Sequence, residues 1–332
     1  MVALLDVDEL IDALADAMAD LSAGRASMPA RSAAFIDVGT ATGLLDMPCY
    51  VPSLRALTSK LVSVFPGNAG SGVPVRQAVV VVFDPVDGAP SAVLEATYLT
   101  AIRTAACSAL SVRLLARENA TVLAVLGTGA QATAHARAVS RVRPFRQIRI
   151  AGRDEGKATK LAAELSEELP VEVRAVGSYV EALDGADVVC AATYAVEPVV
   201  RREWLASGAH VTSVGYHPQG RELDDATVAD ALLVVESREA ALNAVPPNRD
   251  LAEPIERGLI TPDHLHAELG ELVTGSARGR TAPNQLTLYK SVGVAVQDAV
   301  AAALVLAAAR TRAQQFTNTH SPQGGRSDRD RP

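Results

Sequence analysis

The run LAVLGTGAQATAHA, residues 123–136, carries the strongest chemical signal in the chain. Gly127, Gly129 and Ala132 stand at G-x-G-x-x-A spacing, directly after an apolar stretch and at the opening of a helical one. In a dinucleotide-binding turn the first glycine allows the tight bend and the second lets backbone approach a pyrophosphate. The alanine then lets helix and strand pack closely. The helix opening there turns free N–H groups and the positive end of its dipole toward phosphates. Gly127, Thr128, Gly129, Ala130 and Gln131 are therefore candidate cofactor-binding residues. The next apolar strand ends in Ile150-Ala151-Gly152-Arg153-Asp154. An acidic residue at that place accepts from the ribose hydroxyl of NAD, whereas an arginine accommodates the extra phosphate of NADP. Arg153 comes first with Gly152 beside it, so NADP(H) is favoured and NAD(H) stays possible. The alternative makes Arg153 a solvated loop residue and Asp154 the cap of the following helix. Thr193 follows another apolar strand, and Ser213, Val214 and Gly215 end a further one. Ligands of open α/β sheets bind at such carboxyl ends.

No metal chemistry is expected. Cys49, Cys107 and Cys190 are far apart without CxxC spacing, and read as buried thiols in a reducing, cytoplasmic compartment. His264 and His266 lie two apart, which on a helix points them to different faces.

The elements that must position these residues fall into two regimes. Residues 6–21 carry apolar positions at helical spacing. Residues 33–38, 57–65, 77–84 and 91–94 read as strands, with a hairpin around 85–88, and a helix follows over 100–117. From residue 121 continuous apolar strands (121–126, 147–151, 171–176, 186–191, 210–214, 231–236) alternate with turns and helices such as 130–142 and 155–169. That alternation signals a parallel sheet covered on both faces. Residues 257–279 read as helix and loop, 286–312 as one long Ala/Val-rich helix, and the polar stretch from 315 to 332 as a disordered tail.

At 332 residues, two domains are expected. Hydrophobic residues at 48% and charged residues at 21% are ordinary globular usage. The net charge is −7 and no run of Lys or Arg occurs, so nucleic acid is not an expected partner. The N-terminal stretch is acidic and amphipathic, lacking the basic start and continuous apolar run of a secretory signal. Residues 299–309 are too few and too Ala-rich to span a bilayer, so no membrane association is expected.

Five segments occur in an order that carries a resemblance: LTSKLVSVFPGN (57–68), LTAIRTAACSAL (99–110), GTGAQA (127–132), GYHPQGRELD (215–224) and LYKSVGVAVQDAVAAA (288–303). Together they resemble the ornithine cyclodeaminase/mu-crystallin family over residues 28–310. The resemblance implies an α/β fold: a Rossmann-type doubly wound sheet over 119–293, plus a β-rich α+β substrate and dimerisation domain. That second domain spans 1–118 and is completed by the C-terminal helix at 294–314, giving a homodimer. It implies cyclodeamination of ornithine or lysine, reduction of cyclic ketimines, or oxidative deamination of alanine, on a small amino-acid or imino-acid substrate. Arg31, Lys60 and Arg103 match the cations that hold the substrate carboxylate, a task suited to a bidentate guanidinium and a compact ammonium. Taken alone, Arg31 is a loop charge and Lys60 a strand-end residue, while Arg103, set among Ala, Thr and Cys, demands a partner if buried. Ser291, Val292 and Gly293 match the segment closing over the nicotinamide.

One departure separates the activities. Cyclodeaminases of the family place an Asp two residues beyond Gly215, where this chain has His217 in Tyr216-His217-Pro218. The resemblance therefore favours an NAD(P)H-dependent reductase of a cyclic ketimine or imino acid, with Lys60 supplying the proton or polarising the imine. His217 is either a second catalytic group, titrating near neutrality, or a surface-loop residue.

Overall fold

The computed structural model describes residues 4–68 and 71–320, with backbone alone from 316. Helix α1 (Val7–Ser22) begins where the Asp6 carboxylate accepts from the N–H groups of Asp8 and Glu9, and buries the stripe Leu10, Ile11, Leu14 and Met18. Strands β1 (Ser32–Asp37), β2 (Thr42–Val51), β3 (Ala56–Val64), β4 (Arg76–Phe83) and β5 (Pro90–Glu95) form an antiparallel meander in sequence order. Alternation along β3 and β4 turns Ala56, Thr58, Lys60 and Val62, with Ala78, Val80 and Val82, to one covered face. Lys60 stands between Met47 and Val80 in the register. Helix α2 (Thr97–Leu115) then crosses to the second sheet.

That sheet is built from β6 (Val122–Leu126), α3 (Ala130–Val139), β7 (Gln147–Ala151), α4 (Glu155–Glu168), β8 (Glu172–Ala175), α5 (Tyr179–Leu183), β9 (Val188–Ala191) and β10 (His210–Ser213). It continues through α6 (Asp225–Asp230), β11 (Leu232–Val235), α7 (Arg238–Leu242), α8 (Arg249–Glu256), β12 (Leu265–Glu268), α9 (Leu269–Thr274) and β13 (Thr287–Lys290), and α10 (Ala295–His320) ends the described chain. Eight parallel strands run in the order β12-β11-β13-β10-β9-β6-β7-β8. Leu123 and Val125 join one core cluster and Ala124 and Leu126 the other, so the sheet is apolar on both faces. The strand order reverses at β6, where β7 and β9 flank it, and a crevice opens at such a switch point. The expected α/β class, with a doubly wound sheet and a β-rich companion, holds.

Four expectations are corrected. β2 was not foreseen, because Gly43 and Pro48 interrupt it. Pro48 is tolerated because its nitrogen faces the side where β1 has ended at the Ser32–Asp46 pair, while Tyr50 on that side bonds Ser27. β12 lies inside the stretch read as helix and loop. Residues 286–312 are not one helix: TLYK is a fully buried strand between β10 and β11, and Gly293 at φ +72° breaks the chain before α10 starts at Ala295. A short apolar run has no periodicity that tells strand from buried helix. The disordered reading from 315 fails as far as His320, which α10 reaches, and its remainder lies outside the described residues. α10 lies across the covered face of the meander and against α1 and α2. No described helix is long and apolar enough to cross a membrane, and the three cysteines are free and buried.

Two histidines stitch α2 to the parallel sheet. His135 Nε2 meets Ser108 Oγ at 2.9 Å, and Ser108 Oγ accepts from Thr212 Oγ1 at 2.9 Å. His210 bonds Ser111 at 3.2 Å and Thr287 at 2.9 Å. Burial penalises their charged forms, pushing His135 down to about 4 and His210 to about 3 from an ordinary 6.5. Between those values and 6.5 the unfolded chain binds protons that the native one does not, so stability is full above 6.5 and falls with pH below it. Urea midpoints should therefore drop between about pH 7 and 5, less steeply in His210→Gln. A flat midpoint over that range is the contrary result.

Candidate active site

Three elements far apart in sequence converge on one carboxylate. β3 presents Lys60, α2 presents Arg103 and α10 presents Asp298, all nearly devoid of solvent. Asp298 Oδ1 accepts from Lys60 Nζ at 3.1 Å and from Arg103 Nε at 3.0 Å. Arg103 also donates through Nη1 to Gln297 Oε1. Asp298 Oδ2 is buried without a donor among the described residues. Burial lowers Lys60 to about 8, against the opposing pull of Asp298, with the like charges of Arg103 and Arg76 adding to the decrease. An ammonium so placed gives up its proton near neutrality, which an exposed lysine does not.

Arg31, half-buried, donates to the carbonyls of Val292 at 3.2 Å and Gly293 at 2.9 Å. Those residues belong to the turn between β13 and α10. Glu236, fully buried at the end of β11, holds this turn by accepting from Ser291 Oγ at 2.6 Å, Val292 N at 3.1 Å and Gly293 N at 3.2 Å. Gln297 donates to the same carboxylate at 3.2 Å, linking it to Arg103. Burial and the neighbouring Arg103 charge hold Arg31 below the usual guanidinium value.

A second buried carboxylate organises the neighbouring strand ends. Glu222 accepts from Thr193 N at 2.6 Å and Oγ1 at 2.7 Å, from Ser213 Oγ at 2.7 Å and from Gly215 N at 2.8 Å. A Cβ on Gly215 would stand 2.2 Å from the Glu222 carboxyl carbon, so glycine is required there. Lys290, fully buried, donates to Ser213 Oγ at 2.9 Å, Gly215 O at 3.0 Å and Asp250 Oδ2 at 2.8 Å. Thr193, Ser213 and Ser291 thus turn their hydroxyls inward, leaving backbone to face the crevice.

The glycine turn suits a dinucleotide. Gly127 has φ +116°, and a Cβ there would lie 2.5 Å from Ala192 O. Gly129 has open space where a Cβ would stand, and as N-cap of α3 it makes no side-chain bond to the helix N–H groups, which stay available to an anion. Gln131 Oε1 is likewise buried and unpartnered. The space left by Gly152 is filled from inside, since a Cβ there would meet Thr128 Cγ2 at 2.7 Å. Asp154 caps α4, accepting from Lys157 N at 3.0 Å, and Arg153 stands exposed beside it.

His217 is not among the side chains gathered at Asp298. Its Nδ1 accepts from Gln219 N at 3.0 Å and its ring packs 4.4 Å from that of Tyr194, with burial lowering its pKa. Tyr216 is the loop residue that reaches the cations: its hydroxyl is buried without a partner, and its titration responds to Arg76 and Arg31. Asp298, Glu222, Glu236, Lys290 and Tyr216 escaped sequence reasoning. The one available signal was Arg103, whose apolar neighbours required a counter-charge.

A doubly wound sheet with a glycine turn at its switch point, facing a cation-lined cleft, defines a Rossmann-type nicotinamide-dinucleotide protein. The chain belongs to the ornithine cyclodeaminase/mu-crystallin family, whose model matches residues 1–313. It is 37% identical over 286 residues to ketimine reductase mu-crystallin of Mus musculus, spanning 85% of each chain. Its structure is similar to that of Thermococcus litoralis Delta(1)-pyrroline-2-carboxylate reductase in complex with NADH and L-proline. There the TM-score is 0.89 and the identity 36%, over 93% of this chain and 95% of that one. It is also similar to an archaeal alanine dehydrogenase dimer with bound NAD, at a TM-score of 0.86 and 28% identity over 94% of each chain.

Removing one member of a buried ion cluster strands the others. Asp298→Ala leaves Lys60 and Arg103 facing each other without their shared anion, and should cost about 3–5 kcal/mol of folding stability. Urea unfolding of that variant and of Asp298→Asn checks it, and a loss below about 1 kcal/mol in both contradicts the assignment.

Proposed function

We propose that the protein is an NAD(P)H-dependent reductase of a cyclic ketimine or related imino acid, of the Delta(1)-pyrroline-2-carboxylate kind, giving an L-amino acid. The convergence of Lys60 and Arg103 on Asp298 carries this reading, because it gathers carboxylate-binding cations and a proton donor beside the turn at Val292 and Gly293. The similarity to a ketimine reductase and to a pyrroline-2-carboxylate reductase supports it.

Residues 127–131 would hold the pyrophosphate at the start of α3, and the backbone of Thr193, Val214, Gly215 and Val292 would flank the nicotinamide. When bound, the reduced nicotinamide supplies the hydride to the imine carbon. Arg103 and Arg31 take the substrate carboxylate, which places that carbon and converts an encounter into a positioned reaction. Lys60, lowered to about 8, supplies the proton to the imine nitrogen. The free Oδ2 of Asp298 accepts an N–H of the iminium or product amine, an interaction that strengthens as charge builds on nitrogen. His217 acts as a loop residue held by Tyr194, and ornithine cyclodeamination is a minor activity at most, because no carboxylate stands at that place. The uncovered face of the meander exposes Leu44, Val79 and Val93, and we assign it to a homodimer; the similar archaeal alanine dehydrogenase is a dimer.

The reaction is tested with NAD(P)H and Delta(1)-pyrroline-2-carboxylate, following cofactor oxidation. Arg103→Ala should raise KM more than it lowers kcat, since carboxylate capture is shared by ground and transition states. Lys60→Ala should lower kcat by about 10²–10⁴-fold. In the unmodified enzyme the active Lys60 is the protonated one, so kcat holds below about pH 8 and falls as pH rises past it. Lys60→Arg should remove that limb. An unchanged kcat in Lys60→Ala refutes the proton-donor role, and rapid ammonia release from ornithine would favour the cyclodeaminase.

On the cofactor, exposed Arg153 supports NADPH over NADH. Losing a charge-assisted phosphate contact in Arg153→Ala should weaken NADPH binding by about 1.5–3 kcal/mol while sparing NADH. Equal dissociation constants for the two cofactors in the unmodified protein reject the preference.

A further inference from the structure

Two side chains in the cleft have no task in the reaction as derived. Arg76 is the first residue of β4, on the strand face that carries Ala78, Val80 and Val82, and so on the side of the sheet occupied by Lys60. Its guanidinium has no hydrogen bond or ion pair among the described residues. Its surface is accessible to solvent, yet the surrounding protein strips enough water to lower its pKa, which together describe a residue lining an open cleft. Its charge acts on Lys60, Arg103, Tyr194 and Tyr216. Tyr216, on the loop after β10, lies within reach of the Arg76 charge, and its hydroxyl is buried without a partner among the described residues. A buried donor left unmade costs free energy that a ligand acceptor would recover.

The charges point the same way. Arg103 acts on Arg31, Lys60 and Arg76, and the carboxylates that act within this group are Asp298 and Glu236. Asp298 is shared by Lys60 and Arg103, Arg31 meets only carbonyl oxygens, and Glu236 binds neutral donors. The cleft therefore holds two positive charges in excess when Lys60 is protonated. A monocarboxylic imino acid entering as its neutral imine, the form that Lys60 protonates, carries one negative charge and leaves one positive charge in excess. A second carboxylate lowers it.

We propose that Arg76 and Tyr216 form a recognition site for a second carboxylate, so that the imino acid reduced by this protein is dicarboxylic. This rests on the imine-reductase reading above. Arg76 meets the distal carboxylate with its guanidinium fork, and the Tyr216 hydroxyl donates to one of its oxygens. Burial raises the Tyr216 pKa, so the phenol stays a donor at neutral pH.

The test uses stable planar analogues of the imine: pyrrole-2-carboxylate against pyrrole-2,4- and pyrrole-2,5-dicarboxylate, titrated calorimetrically into full-length protein saturated with oxidised cofactor. The better dicarboxylate should bind at least about tenfold tighter than the monocarboxylate. Arg76→Gln should bring that ratio close to one, Arg76→Lys should keep most of it, and Tyr216→Phe should reduce it several-fold. Equal affinities in the unmodified protein overturn the proposal, as does a preference that survives Arg76→Gln. A loss of cofactor affinity in Arg76→Gln, without a change in the ratio, assigns Arg76 to the cofactor and overturns it too. Turnover of Delta(1)-pyrroline-2-carboxylate and of its 2,5-dicarboxylate counterpart is measured alongside. Turnover without dicarboxylate preference defeats this inference alone, whereas discrimination of the pyrroles with no imine reduced defeats the reductase reading.

Discussion

One buried carboxylate decides whether this cleft can exist. Lys60 and Arg103 have given up almost all contact with water, and burying two such cations side by side is costly without an anion at hydrogen-bonding distance. Asp298 is that anion, and it comes from the last helix, 238 residues after Lys60 and 195 after Arg103. The return of α10 across the meander is thus an electrostatic requirement as well as an apolar one. Without it the covered face of β3 would open to water, exposing Val62 and leaving Lys60 and Arg103 without their shared anion. The same requirement explains why the long helix does not begin where its apolar run begins: β13 and the turn at Gly293 must intervene to set Asp298 at the right depth.

Two further carboxylates apply the same device to irregular backbone. The segments after β9, β10 and β13 end strands, so their N–H groups lose ladder partners where a parallel sheet opens to its crevice. Glu222 collects those at Thr193 and Gly215, and Glu236 those at Val292 and Gly293. Each therefore neutralises donors that would otherwise be orphaned and stiffens a loop that faces the cofactor crevice. Lys290 offsets the negative charge through Asp250 and Ser213, so the network is compensated rather than merely crowded.

What sequence reasoning could reach follows the distance over which each feature is determined. The glycine turn is local: backbone angle, close approach and helix start all lie within residues 127–132, and their spacing shows them. The helical stripe of α1 is equally local and as expected, and so is the Asp154 cap, which the sequence offered as the alternative reading of the Gly152-Arg153-Asp154 turn. β2, β12 and β13 are not, because a short strand with Pro48 in it, or one wholly buried like TLYK, owes its conformation to neighbours it meets only after folding. The partners of Lys60 and Arg103 belong to this second kind. That Arg103 needed a counter-charge was legible from Ala, Thr and Cys around it; that Asp298 supplies it was not, since an Asp in an Ala-rich helix has no feature to distinguish it from a solvated one. The resemblance named Arg31, Lys60 and Arg103 as a group but said nothing of Arg76 or Tyr216, whose charges act on theirs.

The placement of charge also explains how a stable protein can keep a cleft that repels itself. Both Arg31 and Lys60 are lowered chiefly by lost hydration, and mutual repulsion with Arg103 adds to it. Asp298 offsets this with one oxygen only, leaving Oδ2 free. A fully balanced site would be more stable and would have nothing left to offer an anion. Here part of the folding free energy is withheld as unsatisfied charge, and a carboxylate ligand restores it on binding, which stabilises the folded state in proportion to its occupancy. The lowered Lys60 follows first from that loss of hydration and only then from its cationic neighbours, so in the proposed reaction the same buried, cation-lined cleft that would draw a carboxylate in also readies the Lys60 proton.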